Sequence, residues 1–206
     1  MSFKYINPGY ANLLDVTGGI TVTDAAKSRT GVGFYQPAKD CGINLSETPA
    51  DIYGKFDVYV YRDEDDKSAN NFEIQVSLGC NGVSFKKLTN HLYLSGLCNN
   101  NSQIYLSECT WYPDEVKDGM NITMNAINTI YFHAHQRSDS SAKDGYLVIY
   151  VNGKEMGRYE NYGINFSHSN PDVFVVYASN STGLLSNLIL SDTEINQREQ
   201  VVILPT

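Results

Sequence analysis

Two histidines stand two residues apart in the stretch from Tyr131 to Arg137, which has the alternation of a β-strand. His133 and His135 therefore share one face of that strand with Tyr131 and Arg137. Two imidazoles placed this way can supply two ligands to a transition metal, but a third ligand would have to come from elsewhere. We therefore expect an ordinary polar sheet face, with no metal and no cofactor.

The carboxylates form no recognisable catalytic set. Asp63-Glu-Asp-Asp66 gathers oxygens that suit calcium, but it lacks the glycine-bearing spacing of an EF-hand loop, so we expect a solvated turn between two strands. Glu73 and Glu108 each lack a second carboxylate two residues away. A retaining glycoside hydrolase needs two carboxyl groups about 5 Å apart, which separate strands could still bring together. No G-x-S-x-G motif marks a serine nucleophile. The sequence predicts that the protein is not an enzyme.

Tyrosines at alternating strand positions indicate more about function than the histidines and carboxylates do. These tyrosines are Tyr59, Tyr61, Tyr131, Tyr146 and Tyr150. Tyrosine beside Gln, His and Asn makes a surface that stacks on sugar rings and hydrogen-bonds to their hydroxyls. The alternative is that tyrosine simply suits a half-exposed strand.

The pair Trp111-Tyr112, beside Pro113 and Asp114, is the best candidate for an aromatic contact that protrudes from a loop. The alternative is that Trp111 fills the core. The predicted ligand-binding residues are therefore Trp111, Tyr112, Tyr131, His133 and Tyr150.

The elements that must position these residues are strands. Fifteen Tyr and sixteen Gly favour strands joined by turns. The period of two is clearest in Lys55 to Arg62 and Asn71 to Leu78. Further strands are predicted at 83–87, 91–96, 103–107, 121–125, 130–136, 146–151, 173–178 and 184–190. Only Asp192 to Glu199 has helical character. The pattern predicts one all-β domain over residues 1–206, a two-sheet antiparallel β-sandwich.

The composition and net charge of the chain indicate which classes of binding partner it is not suited to. The chain of 206 residues is 42% hydrophobic and 18% charged, with a net charge of −8. The acidic balance argues against nucleic acid and anionic membranes, because phosphate contacts need Lys or Arg. No apolar run is long enough to span a membrane, and the start lacks the apolar stretch of a signal peptide. The apolar ending Val201 to Thr206 suggests the N-terminal domain of a longer protein.

Cys80 and Cys98 raise the question of a disulfide. A hairpin that places Phe85 opposite Leu92 keeps the apolar pairs on one face but sets Cys80 opposite Leu97. A slip of one residue would align the cysteines and scramble that face. We therefore expect free thiols, with a disulfide as the alternative.

The C-terminal third resembles laminin-G-like domains of the concanavalin A-like lectin and glucanase superfamily. Residues 128–135 are similar to the strand before a hairpin in that superfamily, and Gly145 to Lys154 is similar to its strand ending in a V-[DN]-G-K turn. Residues 183–195 resemble its closing strand and short terminal helix. The resemblance covers about residues 128–196 and implies a concanavalin A-like jelly roll. The E-x-D-x-E motif of its glucanase branch is absent.

Three functions follow as hypotheses. The first is a non-catalytic module that binds glycan or protein, or is structural, in a bacterial surface or phage-type protein. The second is a divergent glycoside hydrolase or lyase of the same fold. The third is a purely structural subunit of a virion or appendage. The extracellular surface or a virion is the expected location.

Overall fold

The structure is a computed structural model that describes residues 2–13, 20–35, 41–44, 49–60, 72–78, 81–88, 91–98, 102–112, 115–117, 123, 125–135, 138, 142, 144–162, 172–176 and 183–199. In several of these strands only the backbone is described. The strands in these ranges are β1 (Lys4–Asn7), β2 (Ile20–Thr23), β3 (Val32–Tyr35), β4 (Cys41–Asn44), β5 (Asp51–Val60), β6 (Phe72–Leu78), β7 (Asn81–Leu88), β8 (His91–Cys98), β9 (Ser102–Tyr112), β10 (Glu115–Lys117), β11 (Ile127–His135), β12 (Gly145–Val151), β13 (Lys154–Tyr162), β14 (Asp172–Val176) and β15 (Gly183–Ser191).

The strands form two antiparallel sheets, as the period of two predicts. The large sheet has eight strands in the order β13-β12-β11-β5-β15-β3-β2, with β1 also paired to β15. The second sheet has seven strands in the order β10-β9-β8-β7-β6-β14-β4. The one helix among the described residues is a single 3-10 turn, Ala11–Leu13. The prediction of a two-sheet antiparallel β-sandwich is confirmed.

The core lies against one face of the large sheet. Along β11, Ile130, Phe132 and Ala134 are buried, and Ile149 and Val151 are buried on the neighbouring β12. Apart from the buried Val148, the residues between them are polar or aromatic, so the opposite face of the same strands carries Tyr and His. Burial of one face therefore determines which side chains of β11 and β12 point from the opposite face.

A tight turn joins β12 to β13. Asn152 and Gly153 have φ angles of 50° and 80°, the left-handed conformation that a two-residue hairpin requires. The sequence predicts this turn, which is confirmed, although β13 itself was not predicted. The side chain of Asn152 also accepts a hydrogen bond from the Thr129 amide at 2.8 Å, which ties the turn to β11.

Two predicted elements are wrong. Residues 192–199 form bends and a turn instead of a helix, because the side chains of Ser191 and Asn196 accept hydrogen bonds from the Thr193 and Arg198 amides and so compete with helical pairing. Trp111 and Tyr112 lie in β9 rather than in a loop. The strand continues to the residue before Pro113, which proline biases toward extended backbone.

The hairpin of β7 and β8 has a different register from the predicted one. Phe85 lies opposite Leu94 rather than Leu92. The shift is an even number of residues, so the positions that the prediction assigned to one face of the hairpin stay on one face. Cys80 lies outside the described residues, and the state of the thiols stays a prediction.

Other sequence features also fall outside the described part of the chain. Asp63 to Asp66 is one of them, and most of the predicted strand 121–125 is another. Within the described ranges, no helix has the length and apolar character needed to cross a membrane.

Candidate functional site

The polar face of the large sheet brings together side chains from β5, β11 and β12. His133 lies opposite Tyr53 on one side, and His135 lies between Asp51 and Tyr146. Tyr131 lies between Lys55 and Tyr150 one step further along β11. We call this surface the Tyr–His face, formed by Asp51, Tyr53, Tyr131, His133, His135, Tyr146 and Tyr150.

Asp51 fixes both histidines. Its Oδ1 atom lies 2.8 Å from His133 Nε2 and 2.8 Å from His135 Nδ1. Burial alone would raise the pKa of Asp51, but the hydrogen bonds from the two histidines outweigh it and hold that pKa below its ordinary value. An ionised carboxylate only accepts, so His133 Nε2 and His135 Nδ1 carry protons. In the neutral imidazole of His135, the proton acceptor is then the Nε2 atom.

Aromatic rings pack around the histidines. The Tyr53 ring stacks on His133 with the ring centroids 4.0 Å apart, and the Tyr146 ring stacks on His135 at 5.0 Å. Tyr146 also meets His133 edge-on at 5.0 Å. Such contacts hold the rings in one arrangement. The result is a rigid aromatic surface with hydroxyl and imidazole groups at its edges.

Tyr131 is the most buried member of the face. Its side chain is 6% exposed and packs with Ile189 and Ile195. Burial raises the pKa of Tyr131 to about 12 and also raises the pKa of Tyr53. The ring of Tyr131 meets Tyr150 edge-on with 5.7 Å between centroids. Tyr131 therefore forms the floor between the two ends of the face.

Two adjoining depressions follow β11 along this surface. A recess of about 300 Å³ is lined by Tyr53, His133, Tyr146 and Tyr150. A wider cleft of about 1110 Å³ is lined by Arg29, Lys55, Asn152 and Arg198, among others. Tyr131, Glu194 and Gln197 line both. The segment after β15 thus lines both depressions, and we call the two together the groove.

A buried polar network lies beneath the wider cleft. Asp57, on β5, is 0% exposed and accepts hydrogen bonds from the Thr129 hydroxyl at 2.6 Å and from Asn187 Nδ2 at 2.9 Å. Arg29 Nη1 forms an ion pair with Asp57 Oδ1 at 2.7 Å. Lys55 projects from the same face and is 2% exposed. Burial lowers the pKa of Lys55, although Asp57 opposes the effect.

The structure distributes the predicted site residues over both sheets. Tyr131, His133 and Tyr150 lie together on the Tyr–His face. Trp111 and Tyr112 lie on β9 of the second sheet, where only the backbone is described. Their role as ligand contacts stays a prediction.

Sequence reasoning missed several members of the face. Asp51 and Tyr53 precede the point at which the strand was predicted to begin, and Tyr146 and His135 were noted without being selected. An available signal was the alternation of Asp51, Tyr53 and Lys55 with the apolar Ile52. Among the described residues, no group of three His, Cys, Asp or Glu side chains is arranged to hold a metal ion.

Replacing Tyr131 with phenylalanine is expected to reduce the loss of stability at high pH. Tyr131 ionises near pH 10 in the unfolded chain and near pH 12 in the folded one, so its contribution is complete below pH 10 and lost as the pH rises toward 12. The loss amounts to about 2–3 kcal/mol. Denaturant unfolding of both proteins at several pH values measures it. A constant difference between the proteins from pH 9 to about pH 12 would contradict the burial of this hydroxyl.

Comparison with known proteins identifies the fold and no family. No protein-family model matches the chain, and no curated protein matches it. Among solved structures, the endo-β-1,4-glucuronan lyase of the fungus Trichoderma reesei is similar with a TM-score of 0.56 and 12% identity over 90% of this chain and 92% of that chain.

Toxin binding domains are similar to a comparable degree. The binding domain of Paraclostridial Mosquitocidal Protein 1 has a TM-score of 0.56 and 11% identity over 95% of this chain. The botulinum neurotoxin type G receptor binding domain has a TM-score of 0.54 and 12% identity over 95% of this chain. The chain spans 45% and 44% of those two domains. At such identities the likeness shows the fold alone, a β-sandwich of the jelly-roll type.

The prediction that the protein is not an enzyme is corrected by these findings. It rested on the absence of hydrolase motifs, whereas the glucuronan lyase is an enzyme of another class that matches this fold over nearly its whole length. The fold therefore occurs both in binding domains and in a lyase, and missing hydrolase carboxylates do not exclude catalysis.

Proposed function

We propose that the Tyr–His face binds carbohydrate. The observation that carries the proposal is the recess in which Tyr53, Tyr146 and Tyr150 surround an imidazole already fixed by Asp51. Sugar rings present apolar C–H faces that stack on aromatic rings and hydroxyls that hydrogen-bond to imidazole and phenol groups. The face offers both kinds of contact on rigid strands.

The groove also suits a chain of sugars better than a single one. Its two depressions adjoin at Tyr131, so an extended ligand contacts the recess and the cleft together. The fold supports the proposal, since toxin binding domains and a polysaccharide lyase share it. The bacterial surface or phage-type origin in the sequence-based hypothesis stays a prediction.

Replacing Tyr146 with alanine is expected to weaken oligosaccharide binding by about fivefold to tenfold, because one aromatic stack contributes on the order of 1 kcal/mol. A glycan array identifies the ligand and isothermal titration calorimetry measures its affinity. Tyr146→Phe keeps the ring and should retain most of the affinity. Tyr10→Ala is the matched control, since Tyr10 is exposed and is not among the residues lining the groove.

The proposal fails if no glycan binds, or if Tyr146→Ala and Tyr10→Ala reduce the affinity equally. Thermal unfolding of each variant accompanies the titrations. A folded Tyr146→Ala protein with unchanged affinity also contradicts the proposal.

A lyase acting at the same face is the second candidate function. The specific observation is that Asp51 Oδ1 accepts a hydrogen bond from the Nδ1–H group of His135, which leaves Nε2 of the neutral imidazole as a base. A lyase base removes a proton from the carbon next to a sugar carboxylate, a carbon–carbon double bond forms, and the glycosidic oxygen leaves with a proton from an acid. Tyr146, stacked on His135, offers a hydroxyl that can supply such a proton.

The lyase candidate predicts unsaturated sugar ends when the protein is incubated with polyuronates. Ultraviolet absorbance and mass spectrometry of the products detect them. His135→Ala should abolish product formation while Tyr10→Ala keeps it. Binding without any unsaturated product would reject the lyase and leave carbohydrate binding intact.

A further inference from the structure

Lys55 is a buried cation without a described hydrogen-bond acceptor. Its side chain is 2% exposed, and it faces Tyr131 on one strand and Ile189 on another. In the part of the chain that the structure describes, no group accepts a hydrogen bond from its Nζ atom. An ammonium group has three donors, and burying it without acceptors is costly. The lysine lines the wider cleft, so an acceptor can reach it from there.

The neighbouring carboxylate does not fill this need. Asp57 is already bonded to Arg29, to the Thr129 hydroxyl and to Asn187. These contacts occupy both of its oxygens. Asp57 therefore lowers the electrostatic cost of Lys55 without supplying a described hydrogen bond.

The cleft around Lys55 has a positive balance in an acidic protein. Arg29, Lys55 and Arg198 line it, against one acidic lining residue, Glu194. The whole chain has a net charge of −8. A charge-assisted hydrogen bond to an anion is strongest where water is largely excluded and the surrounding charge is positive. Both conditions hold at Lys55.

We propose that this cleft binds an anionic group of a saccharide, a carboxylate or a sulfate ester, through Lys55 and the two arginines. The proposal rests on the carbohydrate binding proposed above and narrows the ligand to acidic oligosaccharides. Lys55 and Asp51 are four residues apart on β5, which is about 13 Å. The anionic group bound by Lys55 therefore belongs to a different sugar unit from the one against His135.

Lys55→Met is the central variant. It keeps the length and apolar contacts of the lysine stem and removes a buried charge, so the melting temperature should not fall. Affinity for an acidic oligosaccharide is expected to drop about tenfold or more, and affinity for a neutral one of equal length should not change. Lys27→Gln is the matched control, because Lys27 pairs with Asp24 and does not line the cleft.

Glu194→Gln tests the sign of the effect. Removing the acidic lining residue is expected to tighten binding of the acidic oligosaccharide severalfold and to leave the neutral one unaffected. Oligouronates and sulfated oligosaccharides form separate arms of the titration, which distinguishes the two sources of the anion. Raising the salt concentration should weaken both acidic arms.

The outcomes separate this inference from the proposed function. Suppose that Tyr146→Ala weakens binding but that Lys55→Met changes the affinities for acidic and neutral oligosaccharides by the same factor. The proposal of an anionic subsite is then wrong, and the proposal of carbohydrate binding stands. If wild-type protein binds neutral oligosaccharides only, the subsite is again wrong. If it binds no saccharide, both proposals fail. Selective loss of acidic ligands in folded Lys55→Met supports the subsite.

Discussion

Replacing Gly54 with alanine is expected to destabilise the protein by about 3 kcal/mol, the upper end of the usual cost of overpacking a core. A Cβ atom at position 54 would lie 2.1 Å from two ring carbons of Phe132, Cε1 and Cζ. Phe132 is 0% exposed and lies directly opposite Gly54 in the register, so its ring has no solvent to move into. Denaturant unfolding measures the change.

A double-mutant cycle with Phe132→Ala separates this clash from a general loss of strand propensity. Phe132→Ala alone should cost about 3–5 kcal/mol, because it empties a buried aromatic site. In that background the new methyl group has room, so Gly54→Ala should cost much less. If the losses in the free energy of unfolding of the two single variants add up to that of the double variant, the Phe132 ring is not what the new methyl group clashes with.

The same pair illustrates what the sequence could predict. The alternation of Phe56, Val58 and Val60 with polar residues predicted β5, and the alternation around Phe132 predicted β11, because one buried face imposes a period of two. That period assigns each residue to a face. It does not say which strands are neighbours, and Gly54 and Phe132 are far apart in the sequence.

The candidate site was partly predictable for the same reason. Tyr131 and His133 alternate within one strand, so they share a face whatever the neighbouring strand is. The contacts of His133 with Asp51 and Tyr53 depend on the pairing of β11 with β5. No local pattern contains that information, which is why Asp51 was missed.

Lys55 and Asp57 show a different limit. Polar residues at alternating strand positions normally indicate a solvated face, and both residues lie on the polar side of β5. Both are nevertheless buried. Asn187 has a φ of 53° at an irregularity in β15, and its side chain reaches Asp57 from there. Burial on the polar side depends on such tertiary contacts.

Replacing Asp57 with alanine is expected to cost about 3–5 kcal/mol, because the buried Lys55 loses the carboxylate that offsets its charge and three donors lose their acceptor. The Asp57 side chain is buried, and its loss leaves Arg29, Thr129 and Asn187 without the oxygens that they contact. Urea or guanidinium unfolding measures the loss. Asp24→Ala, which removes a carboxylate from the half-buried surface pair with Lys27, should change stability far less.

Double mutants can separate how much of this loss of stability comes from Arg29 and how much from Lys55, the two cations near Asp57. Removing the carboxylate leaves Arg29 unpaired but 35% exposed at its side chain, so water can hydrate it. Lys55 is only 2% exposed and meets water through the cleft that it lines, so water can hydrate it far less. Lys55→Met should therefore restore more of the stability lost in Asp57→Ala than Arg29→Met does. Equal restoration, or none from Lys55→Met, would mean that Asp57 stabilises the fold through its hydrogen bonds to Thr129 and Asn187 and not by compensating the buried lysine.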